Sequence, residues 1–158
     1  MTSTLKVQNI AHTGGTNAIA IDSSGRVTTP QLIAFSGQKT NGSGYSTTGV
    51  IPFNQTHLAH ASWNGSTFTA PIAGTYMFTL VGHHQSISNA GFELAIYKNG
   101  AFAISGYALN SADNTRQRVQ TTYLQALSVN DTIDFRLNQG DVWDGAQSGV
   151  SCTGHLIG

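Results

Sequence analysis

A chain of 158 residues and 16.6 kDa is long enough to bury a real core without disulfide or metal staples. Hydrophobic residues make up 39% of it and charged residues only 9%, a balance that excludes a disordered polyelectrolyte. Seven basic and seven acidic side chains are spread singly, so no patch can neutralise several phosphates, and neither nucleic acid nor an anionic membrane surface is an expected partner.

No apolar run of about 18 residues is present to span a bilayer. The start, Met-Thr-Ser-Thr-Leu-Lys, lacks a signal-peptide core. Cys152 is the sole cysteine and cannot close an intrachain disulfide. These features predict synthesis in a cytoplasm, with any export by another route. With so few charges, the surface must be covered largely by Ser, Thr, Asn and Gln.

Residues 1 to 30 read differently from the rest. Leu5, Val7 and Ile10 fit short β segments, and Gly14-Gly15 breaks the chain. Ala18 to Asp22 alternates, placing Ile19 and Ile21 on one side, before the turn Ser23-Ser24-Gly25-Arg26 and a boundary at Pro30. The segment holds too few apolar residues to fold alone, so it is expected to pair with neighbouring chains.

From residue 31 onward, short strands alternate with turn residues, the spacing of a sandwich or barrel. Ile33 to Phe35 begins the series, and a Gly/Ser/Thr-rich loop is expected from Gln38 to Gly49. Tyr76, Phe78 and Leu80 alternate with Met77 and Thr79. Phe92, Leu94 and Ile96 form a second alternation, Asn99-Gly100 supplies the positive φ of a tight hairpin, and Phe102 with Ile104 is expected to continue the core face. Ile133, Phe135 and Leu137 alternate against Asp134 and Arg136. No window sustains a helical period. The fold is predicted to be all-β.

Four signatures stand in a fixed order: Phe68-Thr-Ala-Pro-Ile-Ala-Gly74-Thr-Tyr76-Met-Phe78, Leu94-Ala-Ile-Tyr-Lys-Asn-Gly100, Leu127-Ser-Val-Asn-Asp131-Thr-Ile133 and Cys152-Thr-Gly-His-Leu156-Ile. Over residues 33 to 158 the chain thereby resembles the C1q/TNF-like family. That resemblance implies an antiparallel two-sheet jelly roll, assembly as a homotrimer and work by binding. It departs from the family at Asn130, where glycine is usual, at Cys152 and His155, where aromatics are usual, and at Gln125, normally apolar. The implied trimer interface candidates are Met77, Val81, Tyr123 and Leu127, on strands whose opposite face supplies core residues, with His155 on the terminal strand. The other reading makes these further core residues.

The run Leu5-Lys-Val7, followed by Ala18-Ile-Ala-Ile-Asp-Ser-Ser-Gly-Arg-Val-Thr-Thr-Pro30, resembles the N-terminal segment of tailed-phage fibre and appendage proteins. It implies a virion-attachment segment over residues 1 to 30, carried by Leu5, Val7, Ile10, Ile19 and Ile21. Residues 31 to 158 would form the displayed head domain.

Few constellations suggest chemistry. Adjacent His83 and His84 point to opposite faces of a strand and cannot share an ion; either His84 or His155 could instead stand near a threefold axis. His57 and His60 have helical spacing where no helix is predicted, and no His-x-His with a following Glu occurs, Glu93 being the sole glutamate. Asp141 and Asp144 flank Val142-Trp143 in a Gly-bounded loop, where two carboxylates could hold calcium or serve as Asx hydrogen-bond acceptors in a solvated turn. A carboxylate pair beside a Trp also fits glycoside hydrolysis, but the loop is short and offers no cleft. Trp63 and Trp143, in predicted turns beside polar residues, are candidates with Asp141 and Asp144 for recognising a sugar or protein, or else plug the sandwich end. Cys152 is expected to be a buried small hydrophobe.

The sequence is therefore expected to encode no enzyme and no cofactor beyond a calcium candidate. It reads as a trimeric capsid spike or decoration protein on a phage virion surface, bound to a capsid or tail protein and in contact with host glycan or protein. A short tail-tip adhesin and a cellular C1q-like lectin are the alternatives.

Overall fold

The computed structural model describes residues 6–29, 31–40, 46–84, 91–108, 117–142 and 149–158. Among the described residues there are thirteen strands and no helix: β1 (Asn9–Ala11), β2 (Asn17–Ile21), β3 (Val27–Thr28), β4 (Ala34–Lys39), β5 (Gly49–Val50), β6 (Gln55–Leu58), β7 (Thr67–Thr69), β8 (Gly74–His83), β9 (Phe92–Lys98), β10 (Ala101–Ala108), β11 (Arg118–Leu127), β12 (Thr132–Gln139) and β13 (Val150–Leu156). They fall into two compact units, Met1–Ile33 and Ala34–Gly158.

The first unit is an antiparallel sheet in the order β1-β2-β3. Its turns are local chemistry. Gly15, at φ 87°, closes the first by donating to the His12 carbonyl at 2.8 Å. In the second, the Asp22 carboxylate accepts from the backbone N–H groups of Ser24 and Arg26 and from the Arg26 side chain, and these bonds hold its pKa below the ordinary value. Ile10 pairs with Ile19, and Ile21 with Val27, so the four aliphatic side chains share one face. Ile10 and Val27 remain exposed on it. Val7, Ile19 and Ile21 belong to this unit as well, whereas Leu5 lies outside the described residues.

The second unit is a sandwich of two sheets. One has the order β11-β8-β13-β4-β6; the other runs β10-β9-β12-β5, with β7 also paired to β12. All pairings are antiparallel. Along β8 every second residue is buried, so Tyr76, Phe78 and Leu80 enter the core while Thr75, Met77, Thr79 and Val81 face away. β12 repeats the rule with Ile133, Phe135 and Leu137 inside.

Aromatic side chains hold the sheets together. Phe35 of β4 stacks on Trp63 with ring centroids 4.4 Å apart and on Phe68 of β7 at 5.2 Å, and meets Phe135 of β12 edge-on at 6.2 Å. Room for this cluster comes from Gly154 of β13, where any Cβ would collide with the rings of Phe35 and Phe78. Cys152 lies in the same interior as a small apolar residue, as expected from sequence, and burial pushes its thiol pKa far up, leaving no nucleophile.

Two expectations need correction. The first strand of the sandwich runs on to Lys39, because Gln38 and Lys39 pair with Ser151 and Val150, so the loop begins later than Gln38. Phe102 does not continue the core face. A bulge at Ala103 pairs Phe102 with Tyr97 and Ile104 with Ile96, turning Phe102 outward while Ile104 faces in.

The hairpin β9–β10 turns through Asn99 and Gly100, both at positive φ (51° and 76°), as Asn-Gly requires. Asn130, standing where the family uses glycine, adopts φ 69°. Asn99 then joins the two turns: its amide donates to Asp131 at 2.8 Å, and its carbonyl oxygen accepts from the Thr132 N–H at 2.7 Å. Lys98 approaches the same carboxylate at 3.0 Å. The Asn99 amide, the Ser128 N–H and Lys98 together lower the Asp131 pKa to about 2. A depressed carboxylate contributes stability that is complete above its unfolded pKa of about 4 and is lost as pH falls through the folded value. The melting temperature should therefore drop between pH 4 and pH 2, and Asp131→Asn should flatten that part of the curve while lowering stability at neutral pH, as thermal denaturation across the range would measure.

Candidate functional site

The outer face of the β11-β8-β13-β4-β6 sheet is built in transverse rows by strand register. One row is Leu124, Met77, His155 and Ala34; the next is Thr122, Thr79, Thr153 and Ser36; the third is Gln120, Val81, Ser151 and Gln38. None of these is Asp, Glu, Lys or Arg. Met77, Thr79, Val81, Ser151 and His155 are half-buried within one chain, whereas Leu124 is 59% exposed although apolar. Such a surface can exclude water against a partner without stranding a charge, which is what association through a sheet face requires.

Met77, Val81 and His155 thus share one face. Tyr123 and Leu127 do not. Tyr123 pairs with Phe78 and Leu127 with Gly74, which turns both toward the interior, and Leu127 is buried. Tyr123 donates to Gln125 at 3.1 Å, and the Gln125 amide donates to the Ala126 carbonyl, which explains how a polar residue stands at a normally apolar position. The side chain that β11 does present beside Met77 is Leu124, of the opposite parity. Once Val119 and Leu127 are read as core, the period of two points to it.

Trp63 is not a recognition residue at the surface. It is 7% exposed, stacked on Phe35 and edge-on to Phe135 at 6.0 Å, so it closes the end of the aromatic cluster. Trp143 and Asp144 lie outside the described residues. Asp141 is half-exposed, with Oδ1 4.0 Å from Nε2 of His84. His84 is itself 1% exposed, stacked on Phe92 with its backbone bridged to Val142, and its inward orientation removes it from any axis outside the sheet. His83 takes the other face of β8. Among the described residues no three His, Cys, Asp or Glu side chains gather as metal ligands.

The outer face of the other sheet carries an ordered polar ladder. The Arg136 guanidinium lies 3.9 Å from the Tyr97 ring centroid and is bonded to both Asp134 oxygens. Tyr97 reaches Asn138 at 3.4 Å, and Asn138 donates to Glu93 at 3.3 Å.

Two antiparallel sheets closed over one aromatic core, with these strand neighbours, define a jelly-roll domain. The family model of the C1q domain matches residues 34–157, and the chain belongs to that family. Among solved structures it is similar to the globular domain of zebrafish complement 1qA protein, with 16% identity and a TM-score of 0.63 over 79% of this chain and 97% of that one. It is also similar to Eiger TNF from S. frugiperda (11% identity, TM-score 0.60, 80% and 93% covered) and to murine APRIL (10% identity, TM-score 0.59, 80% and 100% covered). At such identities the likeness is one of fold. No curated protein sequence matches the chain.

Removing Trp63 should be felt as loss of stability. Trp63→Ala is expected to lower unfolding free energy by about 3 kcal/mol or more through the cavity beside Phe35 and Phe53, a shift readable by urea denaturation followed by circular dichroism.

Proposed function

We propose that the protein is a homotrimeric, non-enzymatic binding module, with three copies packed through the outer face of the β11-β8-β13-β4-β6 sheet and displayed from a tailed-phage virion as a capsid spike or decoration protein. The observation that carries the trimer is that face: three rows without Asp, Glu, Lys or Arg, with Leu124 exposed beside half-buried Met77. C1q and TNF domains generally trimerise and act as structural or ligand-binding folds, which supports the same reading. Met77, Val81 and His155 are its contact residues, joined by Leu124. Three identical faces on one axis then bind by avidity.

Display on a virion is supported by the sequence resemblance of residues 1 to 30 to phage appendage segments. The aliphatic face formed there by Ile10, Ile19, Ile21 and Val27 supports a role in attachment, since a small sheet with one apolar face gains by being covered. A tail-tip adhesin would use the same architecture at another place on the particle.

Leu124→Asp places a charge where the trimer must be dry and should cost roughly 3 kcal/mol or more per buried copy. Sedimentation should then show trimers for the parent chain and folded monomers for the variant. A monomeric parent, or a variant that remains trimeric, would overturn the interface. Immunogold microscopy with antibody to residues 34–158 tests the display. Label on phage heads is expected, label at the tail tip would transfer the protein to the adhesin class, and unlabelled particles would favour a cellular C1q-like module.

A further inference from the structure

The β10 bulge has an effect beyond moving one side chain. It sets Phe102 on the outer face of the β10-β9-β12 sheet, 57% exposed and edge-on to Tyr97 at 5.8 Å. Further along the same strand Tyr107 faces outward opposite Glu93 and is 52% exposed. Its ring rests against Gly91, where any Cβ would overlap the phenol, so the glycine gives the ring a seat on the surface. Two aromatic platforms therefore stand on one strand, roughly 14 Å apart by strand rise with the bulged residue discounted. Between and beside them run Ser105, Glu93, Asn138, Tyr97, Arg136 and Asp134.

We propose that this strip binds a linear, neutral oligosaccharide. A pyranose offers an apolar C–H face and a rim of hydroxyls, and the strip offers the matching pair: rings to stack on and planar acceptors and donors at their edges. The polar groups are already held, with Arg136 fixed by Asp134 and by the Tyr97 ring, and Asn138 fixed between Tyr97 and Glu93, so little ordering cost falls on binding. Charge selects the occupant. Asp134 neutralises Arg136, and Glu93 is engaged by the Asn138 amide, so among the described residues of the strip no unpaired cation stands ready to draw an acidic chain. Sheet register places the strip on the face opposite the self-association rows, so both can be occupied in one assembly. The inference names a ligand class for the proposed binding module but does not depend on its oligomeric state.

The test uses the full chain on a printed array of neutral linear oligosaccharides of three to six pyranose rings: glucans, mannans, galactans and N-acetylglucosamine oligomers. Hits are then titrated free in solution by calorimetry. Binding to a subset is expected, with affinity reduced about tenfold or more in Phe102→Ala and in Tyr107→Ala. Both variants should keep the parent melting temperature and sedimentation coefficient, because both side chains are surface groups. Absence of any hit, or unchanged affinity in the double variant, would overturn the proposal. So would a change of sedimentation coefficient in the double variant, which would make the strip a contact between copies. A parent chain that is monomeric, or a Leu124→Asp variant that stays trimeric, with sugar binding intact per chain would sink the assembly alone.

Discussion

Everything in the sandwich hangs on an aromatic stack that passes from one sheet to the other. Phe35 comes from the β11-β8-β13-β4-β6 sheet, Phe68 and Phe135 from the opposite one, and Trp63 from the turn between β6 and β7. Each buried ring contributes about 2–3 kcal/mol from area alone, and each well-oriented pair about 1 kcal/mol more. Dense packing of this sort constrains its neighbours. Gly154 and Gly37 have no side chain because the rings of Phe35, Phe78, Phe53 and Trp63 occupy that volume. The rings can therefore lie directly over the backbone of β13 and β4.

Register in turn makes one strand serve two surfaces. Tyr76, Phe78 and Leu80 of β8 enter the aromatic core, while Met77, Thr79 and Val81 form the middle of the outer rows. A slip of one residue would exchange the two sets. The flanking β-turns guard against that slip, with Tyr76 donating to the Ile72 carbonyl at 2.9 Å and Asn99 clamping the turn that carries Asp131. Core and outer face are two readings of the same alternation.

That alternation is why most of the fold was legible in the sequence. Phe92, Leu94 and Ile96, the Asn99-Gly100 turn, and Ile133, Phe135 and Leu137 are local patterns, and local patterns need no knowledge of partners. Phe102 was misread because a bulge is a property of two paired strands, and nothing in Ala101-Phe102-Ala103-Ile104 announces the extra residue. Trp63 sits next to Asn64-Gly65, a turn by composition. Its burial depends on Phe35 and Phe135, far away in sequence. Tyr123 and Leu127 were assigned to the outer face on the grounds that their strand had a spare side; their parity, set by pairing with Phe78 and Gly74, puts them inside. On β11 it is Leu124, paired with Met77, that stands on the outer face in their place.

The absence of Asp, Glu, Lys and Arg from the three outer rows has a consequence for where the protein can work. Attraction between exposed ions fades as salt rises, with a screening length of about 8 Å at physiological ionic strength and about 3 Å at 1 M. His155 apart, rows of Leu, Met, Ala, Val, Thr, Ser and Gln hold no such attraction to lose, and excluded salts strengthen apolar burial. In the proposed trimer, a joint made of these side chains would keep its strength in fresh water and in brine alike.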